Sequence, residues 1–123
     1  MMKGIGIDII EIERVSNAIA RNDKFLQRIF TTKEMDYFSM INYRRNTIAG
    51  NFAAKEAVMK SLGTGLRNFK WTDIEIYRDA LGKPHVFLYN NAKKIAEDQG
   101  IKEILISISH SRDYAIAQAF ANE

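Results

Sequence analysis

The sequence predicts an α+β domain with mostly antiparallel strand pairing, and three observations carry that prediction. Apolar residues alternate with period two near the amino terminus and in four later runs. A helical period governs a long central stretch from about Arg45 to Leu62. The order is strand, helices, hairpin, helix, hairpin, which lacks the regular strand–helix alternation of a doubly wound parallel sheet.

Lys3 to Ile9 reads as the first strand, because Ile5, Ile7 and Ile9 alternate with Gly4, Gly6 and Asp8. Asp8 therefore points away from the isoleucine face. From Glu11 to Arg21 the period becomes helical, with Ile12, Val15 and Ile19 on one side and Arg14, Asn17 and Arg21 on another. Phe25 to Phe30 reads as a short helical turn, and Thr32 followed by Glu34 and the Met35, Tyr37, Phe38 cluster predicts a second short helix. In the long helix, Ile48, Phe52, Ala53, Ala57, Val58 and Leu62 form the expected buried stripe, and Gly63 supplies a left-handed stop. Trp71 to Tyr77 and His85 to Leu88 are expected to pair as a hairpin across the turn Leu81-Gly82-Lys83-Pro84. Asn90 to Gln99 is a helix ended by Gly100, and Ile104 to Ser109 and Tyr114 to Phe120 are strands joined at Ser111-Arg112-Asp113.

A length of 123 residues suits one domain spanning positions 1–123, and 46% hydrophobic with 27% charged residues is the balance of a soluble globular chain. No apolar run reaches the roughly 18 residues of a membrane span, and the amino terminus lacks the features of a signal peptide, so a cytoplasmic protein is expected. Zero cysteines exclude disulfides, thiolate catalysis and cysteine zinc sites, and two histidines leave little for a histidine-rich site. A bound metal would therefore be held mainly by carboxylates, which favours hard ions such as Mg²⁺. The formal charge of +3 and pI near 9.2 suit an anionic partner.

Asp8 is the first chemical candidate, since a carboxylate between flanking isoleucines must be desolvated unless water, a partner or a metal reaches it. The alternative is an N-cap for the helix that follows. Glu56 and Lys60 lie four apart on one helix face, in the order that also suits a plain solvated ion pair. Phe52, Ala53, Ala57 and Val58 set that turn partly against the core, so a third partner is expected. Gly63-Thr64-Gly65 follows a helix, where the dipole repels anions, so it is no P-loop, and a C-cap is the natural role for Gly63. His110, at the end of a strand before its turn, is open to either a structural or a functional role, and His85 has less support.

Taken together, these segments resemble a known family. Gly6-Ile7-Asp8, Phe52-x-x-Lys55-Glu56-Ala57-x-x-Lys60 and Gly63-Thr64-Gly65 look like the signature of the 4'-phosphopantetheinyl transferases, in the spacing of their short, trimeric acyl-carrier-protein synthase branch. Trp71-Thr72-Asp73-Ile74-Glu75-Ile76, Gly82-Lys83-Pro84 and Ile106-Ser107-Ile108-Ser109-His110-Ser111 extend the similarity over nearly the whole chain. The resemblance implies a single domain with a mostly antiparallel sheet packed on a long central helix and shorter helices. It implies transfer of 4'-phosphopantetheine from coenzyme A to a serine of apo acyl carrier protein, release of adenosine 3',5'-bisphosphate, and a place in fatty acid biosynthesis. By the same resemblance Asp8 and Glu56 would hold Mg²⁺ and Lys60 would neutralise or protonate the leaving phosphate. Lys60, Gly63, Lys83, Pro84 and His110 would lie near the coenzyme, Arg14 and Arg21 would meet the acidic carrier, and a homotrimer would form.

The chain departs from the family pattern at Asn51, where arginine is frequent, with Arg44 or Arg45 as candidate replacements, and at Asn68, where glycine is frequent. A module binding RNA or an acidic protein through Arg14, Arg21, Arg44 and Arg45 is the rival reading, but the basic residues are dispersed and the aromatic and glycine pattern of RNA-reading sheets is missing, so no nucleic-acid partner is expected.

Overall fold

The structure, a computed structural model, describes residues 1–65 and 68–123. The long helix organises the molecule. It is α4, Arg45–Leu62, preceded by α1 (Ile12–Arg21), α2 (Phe25–Ile29) and α3 (Thr32–Met40), and followed later by α5 (Asn90–Asp98). Among the described residues, five strands, β1 (Met2–Glu11), β2 (Ile74–Arg78), β3 (Pro84–Leu88), β4 (Glu103–His110) and β5 (Tyr114–Asn122), form two antiparallel sheets ordered β1-β5-β4 and β2-β3. The α+β, antiparallel expectation holds.

Most predicted elements appear within a few residues of their expected bounds, and two local readings change. Trp71–Asp73 is a 3₁₀ turn, so β2 starts only at Ile74. α3 begins at Thr32, as expected, and is capped by Thr31: its hydroxyl accepts from the Glu34 amide while the Glu34 carboxylate accepts from the Thr31 amide at 2.8 Å, a capping box. The N-cap of α1 is Glu11, with no side-chain cap bond, so Asp8 does not cap that helix.

α4 ends as its sequence predicts. Gly63 takes φ 77°, and its amide donates to the carbonyls of Met59 and Lys60. Ile48, Ala53, Ala57, Val58 and Leu62 are buried, with Phe52 half-buried. Against this helix lies the inner face of the three-stranded sheet, made by Ala115, Ala117, Ala119 and Ala121 of β5 with Ile104, Ile106 and Ile108 of β4.

β1 packs on α4 by its glycines. A Cβ on Gly4 would sit 2.0 Å from the Ser61 carbonyl oxygen, and one on Gly6 would sit 1.9 Å from that of Ala57. Only hydrogen leaves room for such an approach. The alternation is thus inverted relative to a usual half-buried strand: Gly6 and Asp8 face the helix, while Ile5, Ile7 and Ile9 are 53%, 54% and 61% exposed. Leu105 of β4 and Ile116 of β5 are also exposed, at 48% and 36%, and strand alternation puts Leu105 opposite the inner-face Ile104 and Ile106, and Ile116 opposite Ala115 and Ala117.

Candidate active site

The inversion of β1 decides where Asp8 goes. Two residues beyond Gly6, its side chain keeps the same face and reaches α4 one turn from Ala57. Its carboxylate is only 16% exposed and accepts from Lys60 Nζ at 3.3 Å. The same ammonium donates to the Ile7 carbonyl at 2.9 Å. Among the described residues, the ion pair of Lys60 is with Asp8, not with Glu56, so the i,i+4 pair anticipated from spacing is replaced by a bridge from helix to strand.

Glu56 stands beside this bridge. Burial pushes its carboxyl above the ordinary glutamate range, the negative charge of Asp8 raises it further, and Lys60 opposes both. Asp8 and Glu56 line one cleft of about 330 Å³ with Arg14, Val15, Phe25 and Phe52. On its other side Glu56 borders a second cleft of about 510 Å³, shared with Met59, Lys60, Gly63, Gly65 and Trp71. Phe52, one turn before Glu56, stacks on Trp71 at 5.2 Å and on Phe25 at 6.3 Å, and all three rings pack against the core.

Two carboxylates that repel each other across a half-buried cleft suit a hard divalent cation. Mg²⁺ commonly takes one or two protein carboxylates and completes its shell with water and substrate phosphates. Among the described residues, no group of three or more Asp, Glu, His or Cys could form a closed all-protein cage. Asp8 and Glu56 supply the number of protein carboxylates such an ion takes.

The remaining predicted residues are spread more widely. Gly63 and Lys60 share the second cleft, and Arg14 lies on the rim of the first. Arg21 is exposed at the end of α1, where its Nε donates to the Asn17 carbonyl. Lys83 and Pro84 sit at the β2–β3 turn and line neither cleft. That turn is fixed by Asp79, whose carboxylate accepts from the amides of Leu81 and Lys83 at 2.9 and 3.0 Å and pairs with His85 Nε2 at 2.9 Å. His110 lies apart from Asp8 and Glu56, in a third cleft with Arg44, Arg45, Asn46 and Arg112. Asn51 is buried at 1% exposure and accepts from Arg78 Nη2 at 3.3 Å, so the guanidinium nearest that position comes from β2. Sequence reasoning gave no site role to Trp71, Phe25 or Phe52; the i,i+4 spacing of Phe52 and Glu56 was the available signal for the last.

A family model described as the 4'-phosphopantetheinyl transferase superfamily matches residues 4–119. The chain belongs to this superfamily. It is 59% identical over 121 residues to a holo-acyl-carrier-protein synthase of Alkaliphilus oremlandii, covering 98% of this chain and 99% of that one. Among solved structures it is similar to the holo-acyl-carrier-protein synthase of Neisseria meningitidis, with a TM-score of 0.91, 36% identity and full coverage of both chains. It is also similar to the Helicobacter pylori synthase in complex with coenzyme A, with a TM-score of 0.85, 32% identity and coverage of 96% and 99%. The superfamily fold is the one seen here, with β1 and α4 bringing together the Gly6-Ile7-Asp8 and Lys55-Glu56 segments of the phosphopantetheinyl transferase signature.

Proposed function

We propose that the chain is a holo-acyl-carrier-protein synthase, transferring 4'-phosphopantetheine from coenzyme A to a serine of apo acyl carrier protein in support of fatty acid biosynthesis. The observation that carries this reading is the convergence of Asp8 from β1 and Glu56 from α4 on one cleft, with Lys60 bridging from the next. In the reaction the serine oxygen attacks the phosphorus that bears pantetheine, the pyrophosphate bond breaks, and adenosine 3',5'-bisphosphate leaves. Phosphoryl transfer of this kind needs positioning and charge neutralisation rather than a covalent protein nucleophile. Asp8 and Glu56 would hold Mg²⁺, which when bound would neutralise charge on the pyrophosphate. Lys60, 54% exposed and already turned toward Asp8, would meet the leaving phosphate with its remaining donor. Glu56, held above the ordinary glutamate range, is suited to accept the serine proton directly or through a water.

Arg14 and Arg21 of α1 would draw in the acidic carrier, Arg14 from the cleft rim itself. Gly63 and Lys60 border the coenzyme cleft, and Lys83, Pro84 and His110 would complete coenzyme contacts from elsewhere. The exposed row Ile5, Ile7 and Ile9, with Leu105 and Ile116, supports assembly as a homotrimer, because a contiguous apolar sheet face calls for a cover. Such packing would let a neighbouring copy bring the cleft of His110, Arg44 and Arg45 to Glu56. The work would be done in the cytoplasm; among the described residues no helix is long and apolar enough to cross a membrane. Incubation with coenzyme A, Mg²⁺ and an apo carrier, followed by weighing the carrier, tests the proposal; a carrier of unchanged mass would refute it.

A further inference from the structure

The residue beside Glu56 in the helix has the least solvent and the most partners. Lys55 is 0% exposed, and its ammonium makes a 2.7 Å ion pair with Glu34, itself 2% exposed. The same nitrogen also contacts the carbonyls of Ile29 at 2.9 Å, Trp71 at 3.2 Å and Ile74. An ammonium has three donors, so four acceptors surround it on every side. Burial lowers the basicity of Lys55 and raises that of Glu34, each partly offset by the other's charge.

A pair kept only for stability would not need this cage, since apolar residues of similar size usually serve as well in a core. The carbonyls are informative because of the segments they belong to. Ile29 ends α2, whose Phe25 lines the cleft of Asp8 and Glu56. Trp71 opens the 3₁₀ turn and walls the cleft of Glu56, Lys60 and Gly63, and Ile74 begins β2 where that turn ends. Helix geometry sends consecutive side chains about a quarter turn apart, so Lys55 reaches under the walls while Glu56 faces the space they enclose.

The carboxylates are held by other means. Asp8 and Glu56 are brought together by the glycine packing of β1 on α4, to which Lys55 contributes no contact. The two functions are therefore separable.

We infer that Lys55 is a positioning residue for coenzyme binding: by clamping the Trp71 and Ile74 carbonyls it fixes the Trp71 wall against which the organic part of the coenzyme lies when its pyrophosphate meets Lys60 and Glu56. The inference rests on the transferase reading above. It assigns Lys55 to ground-state binding and not to the chemical step.

The test is Lys55→Met, of similar length and without the donors. Wild-type transfer is measured first, and its failure would sink the transferase reading itself. If wild type transfers, the variant is expected to raise KM for coenzyme A about tenfold with kcat within about threefold, the pattern of lost uniform binding. Trp71 is the only tryptophan of the chain. Its emission in the variant is expected to shift to longer wavelength and to become more open to acrylamide quenching. A folded variant with unchanged KM, or one that loses kcat at constant KM, overturns the inference. If Lys55→Met shows no cooperative melt, Lys55→Gln, which keeps two donors, carries the test, with a raised KM expected and an unchanged KM contradicting it.

Discussion

Gly6→Ala probes the contact on which the proposed metal site depends. The added Cβ would lie 1.9 Å from the Ala57 carbonyl oxygen and 2.9 Å from the Ser61 nitrogen, all backbone atoms of α4 that cannot rotate aside. Ordinary contact begins near 3.4 Å, so β1 must retreat by 3.4 − 1.9 = 1.5 Å at this point. Overpacking of this kind costs about 1–3 kcal/mol. At about 4 °C per kcal/mol for a domain of this size, the melting temperature should fall by about 4–12 °C. The larger effect is on Asp8, two residues along, which moves away from Glu56 with the strand. Misplacement by about 1 Å can lower turnover about 10²-fold, so kcat/KM for carrier modification should fall by about that factor well below the melt. Gly100→Ala is the control. Its φ of 75° makes an alanine strained, yet the nearest atom is Lys3 Cε at 3.8 Å, and it lies in neither cleft. It should lose stability and keep transfer. A Gly6→Ala protein that melts and transfers like wild type would show that β1 does not pack on α4 by its glycines.

Glu56→Gln should abolish transfer with little loss of folding, measured by carrier mass and thermal melt. Because burial and Asp8 raise the folded pKa of Glu56, this carboxyl binds more protons in the folded than in the unfolded metal-free chain, so its contribution to stability falls as pH rises through and above the ordinary glutamate range. Melts across pH should show a shallower fall in Glu56→Gln, and an identical slope would count against the assignment. Arg14→Glu with Arg21→Glu should raise KM for the carrier and flatten its dependence on salt, while KM for coenzyme A stays near wild type; carrier binding that ignores salt in the wild type would remove these arginines from the docking face. Ile5→Glu should reduce the solution mass seen by sedimentation to that of one chain and lower transfer with it, and an unaltered mass would mean that the isoleucine face is not the assembly surface.

Local signals carried much of the fold. The bounds Arg45–Leu62 and the left-handed Gly63 follow from helical period and C-cap chemistry, both of which depend on neighbours in sequence. The strand of alternating glycine and isoleucine was equally legible, but which face turns inward was not. Period two fixes that Asp8 opposes Ile7 and Ile9; only the approach of the α4 backbone, a contact across some fifty residues, makes the glycine face the buried one. Asp8 and Glu56 were legible as a pair through their residue types and the family signature. The partner of Lys60 was not, since the i,i+4 rule names Glu56 and the strand supplies Asp8. The burial of Lys55 had no sequence signal of its own, because its partners Glu34, Ile29, Trp71 and Ile74 come from three separate segments. The placing of His110 in a different cleft from the carboxylates reflects a similar limit, as strand periodicity says nothing of which cleft a strand end borders.

The most direct test of the account is the mass of an apo acyl carrier protein after incubation with coenzyme A and the wild-type chain, with Mg²⁺ or with a chelator, and again with Asp8→Asn and with Glu56→Gln. The account predicts one added phosphopantetheine per carrier with wild type and Mg²⁺, and none with the chelator or either variant. Modification that persists with the chelator, or with either variant, would contradict it.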